Sequence, residues 1–154
     1  HQSFASQHPG QAIGDLIELG GVRQVLWPEH CVQGTQGAKL ALGLNLPENL
    51  HIFQKGMDKS IDSYSGFFDN GKKKTTGLGA FLRSQQVTNV FVLGLATDYC
   101  VKFTAMDALE LGFKTHLILP GCRGVNLVAG DVDAAIVEMK KKGVNVCTEL
   151  PIRD

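Results

Sequence analysis

An unbroken apolar run at residues 90–95, Val-Phe-Val-Leu-Gly-Leu, constrains this chain more than any other stretch. Six residues without a polar side chain read as a strand buried on both faces, the kind found inside parallel sheets. The run breaks at Ala96-Thr97-Asp98. A helical pattern then takes over through Val101, Ala105, Ala108 and Leu109 and stops at Gly112. Thr97 or Asp98 is expected to cap this helix. Cys100 then falls in its first turn, at the carboxyl end of a central strand. Orphan N–H groups and the positive end of the helix dipole meet there, and both favour thiolate over thiol. The consecutive N–H groups from Ala96 to Cys100 form a candidate oxyanion hole. An inert buried thiol is the competing reading.

Strand and helix patterns alternate around this stretch. Strands are expected at 50–54, at 114–119 (ended by Pro120-Gly121) and at 144–148. Helices are expected at about 75–86 and at Asp131–Lys142, with a short helical piece near 38–43. Residues 1–35 read as loop, with a brief apolar turn around Ile13, Leu16, Ile17 and Leu19 and with Gly14, Gly20 and Gly21 arguing against a long helix. This order predicts an α/β fold with a mainly parallel sheet, right-handed crossovers and a site at the carboxyl ends of the strands. Lys55 follows one such strand and Cys100 another, so the two can meet in space. An ammonium there would stabilise a thiolate and a developing oxyanion; a lysine snorkelling to solvent is the plain alternative.

The 154 residues suit a single domain, 1–154, large enough to need no disulfide staples. A formal net charge of zero gives no support to a nucleic-acid or anionic-membrane partner. No apolar run is long enough to span a bilayer, and no signal-peptide pattern is present. Cys31, Cys100, Cys122 and Cys147 contain no C-x-x-C pair, which points away from a zinc ribbon or disulfide framework and toward a reducing cytoplasm. The chain opens on His1 and a dozen residues without periodicity, so an upstream portion is expected to be missing.

Other side chains carry two readings each. His1 and His30 are candidate metal ligands, although zinc wants at least three protein ligands. His8, His51 and His116 read as ordinary. Trp27 and Tyr64, both in loops, either stack on a planar substrate or fill core. The basic run at 72–74 reads as a solvated loop face.

The motifs together resemble the nicotinamidases, within the isochorismatase-like cysteine hydrolases. They are His1-Gln-Ser-Phe-Ala-Ser, Trp27-Pro-Glu-His30-Cys-Val-Gln-Gly, Lys55-Gly, Asp62-Ser-Tyr64-Ser-Gly-Phe-Phe-Asp-Asn, Gly94-Leu-Ala-Thr-Asp-Tyr-Cys100-Val and Gly121-Cys-Arg-Gly-Val-Asn126. The resemblance implies a three-layer α/β/α isochorismatase-like hydrolase fold lacking its amino-terminal portion. It implies hydrolysis of nicotinamide, or of pyrazinamide, in NAD salvage. Cys100 matches the nucleophile, Lys55 the triad lysine, Ala96 and Cys100 the oxyanion-hole amides, and Leu95–Ala96 a cis peptide. His1 and His30 match two ligands of a divalent metal, zinc or iron, and Trp27 and Tyr64 match walls of the ring pocket. The resemblance leaves room for a homo-oligomer. The triad aspartate and an Asp-x-His ligand pair have matching positions upstream of His1; Asp58, Asp62 and Asp98 do not stand at them, Asp98 reading as a helix-start residue and Asp62 as a loop cap. Another cysteine amidase of this superfamily, or an inactive fragment serving as a binding module, stays open beside the leading reading.

Overall fold

Gly20 and Gly21 take φ values of 60° and 79°, a conformation that a Cβ would strain. They join β1 (Leu16–Leu19) to β2 (Val22–Val25) in a two-residue antiparallel hairpin. The glycine pair is thus a hairpin turn between short strands, where loop and an isolated apolar turn were expected. The computed structural model describes residues 1–150, and the chain resolves into two units. The hairpin belongs to the first, residues 1–52 and 57–62. Buried Gln24 holds it from within: Nε2 donates to the Leu19 carbonyl at 3.2 Å, and Oε1 accepts the Asp62 N–H at 2.7 Å. Leu26 and Trp27 are buried beside it. The Trp27 N–H donates to the Ser3 carbonyl at 2.8 Å, and its own carbonyl accepts the Ala5 N–H at 2.9 Å. The short helix expected at 38–43 does not form; a 3-10 turn, Gln36–Ala38, lies just before it. Residues 50–54 form no strand; Ile52 is 65% exposed, so the run lacks the burial that would hold one.

The second unit comprises, of the described residues, 53–56 and 63–150. Its regular elements are α1 (Leu78–Ser84), β3 (Asn89–Leu95), a π-helical turn (Thr97–Val101), α2 (Lys102–Glu110), β4 (Lys114–Arg123), α3 (Asp131–Lys142) and β5 (Asn145–Cys147). The sheet order is β3-β4-β5, all parallel, which is the α/β arrangement that the alternating pattern predicts. Val92 and Leu117 from the sheet pack with Val101 and Ala105 before and in α2, and with Met139 of α3. Phe67, Ala108 and Phe113 form a second buried cluster, flanked by Leu78 and Leu82 of α1. α1 is shorter than expected. Thr75 is instead bridged to Phe68, and Gly77 at φ 88° starts the helix late.

Among the described residues β3 pairs only with β4, and its two faces are not equally buried. Val92 points into the core, whereas Phe91, Leu93 and Leu95 are 51%, 57% and 73% exposed. β4 also departs from expectation by running through Pro120 and Gly121. The register jumps from Val92↔Leu117 to Gly94↔Cys122, so these residues sit in an irregularity where proline's missing N–H breaks no ladder bond.

The basic run is anchored. The Asp69 carboxylate accepts the N–H groups of Gly71, Lys73 and Lys74 at 2.8–3.0 Å. That turn carries Lys72 onto Asp107, at 2.9 Å, and Glu110 of α2.

Candidate active site

The Lys55 Nζ lies 3.4 Å from the Cys100 Sγ and donates to the Ser63 carbonyl at 2.6 Å. No strand places the lysine. The carbonyl of a tightly folded loop, 63–70, does so instead. Ser63 Oγ donates to the Phe68 carbonyl at 2.8 Å, Ser65 Oγ accepts the Phe67 N–H at 3.0 Å, and Asn70 Oδ1 accepts the Tyr64 N–H at 2.9 Å. Ser63, Ser65 and Phe67 are buried, so these local bonds define the loop's shape.

Cys100 stands in the π-helical turn, where a first α-helical turn was expected. The Val101 N–H reaches back five residues to the Ala96 carbonyl at 3.0 Å, and the Tyr99 N–H reaches the same oxygen at 3.1 Å. The preceding peptide, Leu95–Ala96, is cis. Neither Thr97 nor Asp98 caps the turn with its side chain. Buried Asp98 points elsewhere: Oδ1 accepts the Val125 N–H at 2.9 Å and Oδ2 the Asn126 N–H at 2.7 Å. A carboxylate with two amide donors is well satisfied in a buried place, and it ties the loop after β4 to the cysteine turn. Gly124 makes that approach feasible, since a Cβ there would lie 2.1 Å from Val132 Cγ2 and 3.1 Å from Asp98 Oδ1.

Tyr64 is buried against two rings, edge-on to Tyr99 at 5.6 Å and tilted against Phe103 at 5.4 Å. Burial raises the Tyr99 phenol above its usual pKa, with Asp131 and Asp98 adding to the shift. Trp27 is part of the first unit, its ring buried and its backbone bridged to Phe4.

His1 and His30 both touch the Phe4 ring, with centroids 5.8 and 5.6 Å away. His1 Nδ1 accepts the Ser3 N–H at 3.1 Å, which puts its proton on Nε2, 3.2 Å from the Ile61 carbonyl. His30 Nδ1 lies 2.8 Å from the Pro28 carbonyl and donates to it, leaving the lone pair on Nε2. One imidazole lone pair and one already engaged ring fall short of the ligand set a resident zinc requires. Among the described residues, no group of three or more His, Cys, Asp or Glu side chains is placed to hold a metal ion. The side chains present do not by themselves fit the metal that the resemblance implies.

The sequence reading did not single out Thr104. Its Oγ1 donates to the Cys100 carbonyl at 2.6 Å and accepts the Gly66 N–H at 2.9 Å. A threonine four residues after a helical cysteine is the one available signal, because such hydroxyls bond the carbonyl one turn back.

A model of the isochorismatase domain matches residues 20–149. The nicotinamidase of Escherichia coli strain K12 is 46% identical, over 96% of this chain and 69% of its own. Among solved structures, a nicotinamidase pyrazinamidase of Acinetobacter baumannii superposes with a TM-score of 0.90 at 42% identity, covering 95% of this chain and 70% of that one. The pyrazinamidase of Pyrococcus horikoshii in complex with zinc superposes with a TM-score of 0.69 at 36% identity, covering 80% of this chain and 63% of that one.

Proposed function

The chain belongs to the isochorismatase family, and we propose that it acts in NAD salvage as a cysteine-dependent amidase, hydrolysing nicotinamide to nicotinate and ammonia. The observation that carries this reading is the 3.4 Å approach of the Lys55 ammonium to the Cys100 sulfur. The Cys100 sulfur attacks the carboxamide carbon after giving its proton to a general base, the aspartate of the family's triad. The oxyanion that forms is held by the Ala96 and Cys100 N–H groups, with Lys55 offsetting its charge. Collapse breaks the C–N bond, and ammonia leaves with the proton held by the aspartate. Water then attacks the thioester, releasing nicotinate and restoring the thiol.

Trp27 and Tyr64 are assigned to the walls that receive the pyridine ring. His1 and His30 are assigned as two ligands, insufficient by themselves, of a divalent metal, zinc or iron: His30 through Nε2, and His1 only once its Nε2 gives up both its proton and its bond to Ile61. No step above passes through that ion. Among the described residues no helix is long and apolar enough to cross a membrane, and the cytoplasm is the compartment proposed.

The test measures ammonia release from nicotinamide and pyrazinamide by the purified protein and by Cys100→Ala. Loss of release in a variant that keeps its circular dichroism supports the proposal. An undiminished rate would falsify the cysteine mechanism, and turnover of some other amide alone would reassign the substrate.

A further inference from the structure

Lys55 and Cys100 are joined by a second path besides their direct contact. The lysine holds the Ser63 carbonyl. Three residues along the same loop, the Gly66 N–H donates to Thr104 Oγ1, and that hydroxyl donates to the Cys100 carbonyl. The path closes into a ring: sulfur, ammonium, residues 63–66, hydroxyl, and back to the cysteine backbone. The Gly66 peptide is gripped on both sides, because its carbonyl accepts Thr76 Oγ1 at 2.6 Å. A hydroxyl has one proton and two lone pairs, and Thr104 uses the proton toward α2 and a lone pair toward the loop. An aliphatic residue fills the same place in the helix and bridges neither.

We propose that Thr104 is a positioning residue for the nucleophile, setting the separation of the Cys100 Sγ and the Lys55 Nζ by tying the cysteine backbone to the loop that holds the lysine. It touches no reacting atom and acts through Cys100. The inference rests on Cys100 being the nucleophile of the proposed amidase. Three bonds in series hold the pair, and the charge-assisted contact is the one most sensitive to distance. Loss of the hydroxyl therefore weakens the influence of the ammonium on the sulfur before it weakens the fold.

The test reads the sulfur itself. The second-order rate of iodoacetamide alkylation at Cys100 is followed at pH 7 by peptide mass spectrometry. It is measured for the wild type, Thr104→Val, Thr104→Ser and Lys55→Met, and for Thr104→Val combined with Lys55→Met. Thr104→Val is expected to slow alkylation roughly tenfold. Thr104→Ser, which keeps donor and acceptor, is expected to restore the wild-type rate. In the Lys55→Met background, Thr104→Val is expected to change nothing further. Thr104→Ala, which adds no bulk, is read in parallel and is expected to match Thr104→Val. An unchanged rate in both deletion variants overturns the proposal, as does an equal slowing with and without Lys55. Substrate hydrolysis is not read in this experiment. Absence of nicotinamide turnover by the wild type would therefore overturn the amidase reading and leave the alkylation result standing.

Discussion

The Lys55 ammonium donates to the Ser63 carbonyl at 2.6 Å while standing 3.4 Å from the Cys100 sulfur. A neutral carbonyl fixes the lysine without competing for its charge, so the positive end stays directed at the thiol. Lys55→Met keeps the aliphatic stem and removes both contacts. Ammonia release is expected to fall roughly 10²–10³-fold, the usual loss when one stabilising donor is deleted from an oxyanion site. Steady-state kinetics on nicotinamide check this, and a change below threefold would remove Lys55 from the chemistry.

Asp98 gives both carboxylate oxygens to backbone amides, those of Val125 and Asn126. Asparagine offers one acceptor, and its NH₂ would face an N–H. Asp98→Asn is therefore expected to cost about 1–3 kcal/mol, the penalty for a buried donor left without an acceptor. Urea denaturation checks it, with a lowered midpoint and an unchanged slope as the expected signature.

Gly124 is a steric requirement. A Cβ at this position meets Val132 Cγ2 at 2.1 Å. Gly124→Ala is expected to destabilise by about 1–3 kcal/mol through overpacking. Combining it with Val132→Ala, which removes the clashing methyl groups, is expected to recover part of that loss. No recovery would mean that the clash is relieved by some other shift.

Lys72, in the loop before α1, and Cys122, on β4, have raised pKa values that act in the same direction. The hydrogen bonds that the Lys72 ammonium donates to Glu110, then to Asp107, raise its pKa above the usual 10.5. Burial raises the Cys122 thiol above its usual 9.0. A folded pKa above the unfolded one means that the contribution is whole below the unfolded value and is lost as pH climbs through the folded one. Thermal midpoints are expected to decline from about pH 9 upward for Cys122 and above 10.5 for Lys72. Lys72→Gln should lower the midpoint near pH 8 and flatten the decline above 10.5. A decline of unchanged steepness would assign it to other groups.

The free thiols should separate by reactivity. Cys31 is exposed, whereas Cys122 is buried and donates to the Ile118 carbonyl at 3.3 Å. Alkylation of the native protein is expected to mark Cys31 well before Cys122, which labels only on unfolding. Early labelling of Cys122 would show that the packing around Leu117 and Met139 opens readily.

What the sequence made legible depended on how local the physics was. α3 occupies Asp131–Lys142 as its acidic start, basic end and following glycine require, and Gly143 adopts a φ of 111°. β3 is legible as a strand from its apolar run, but the exposure of Phe91, Leu93 and Leu95 is not, because the identity of its neighbours is set by the whole sheet. The hairpin is signalled by Gly20-Gly21 between two short runs, although such a pair reads equally as a helix breaker. Pro120 misled, since a proline normally ends a strand and here sits in a register shift. The contact between Lys55 and Cys100 does not arise from two strand ends, because residues 50–54 form no strand. It is set by the carbonyl of Ser63, and nothing in the order of residues announces which carbonyl a lysine will choose. The partners of Asp98, and the bond from the Gly66 N–H to Thr104, were invisible for the same reason, each lying many residues away in sequence.

The π-helical turn at Thr97–Val101 has one further meaning. Each residue advances a helix by about 100° around its axis, so the five-residue step between Ala96 and Val101 sets the rotational phase of everything that follows, including which residues of α2 look toward the sheet. Side-chain substitutions leave that phase untouched. A change in chain length within the turn would re-aim the sulfur and swing Ala105 and Ala108 out of their buried places in the same movement. The direction of the thiol and the seating of α2 are therefore inherited together.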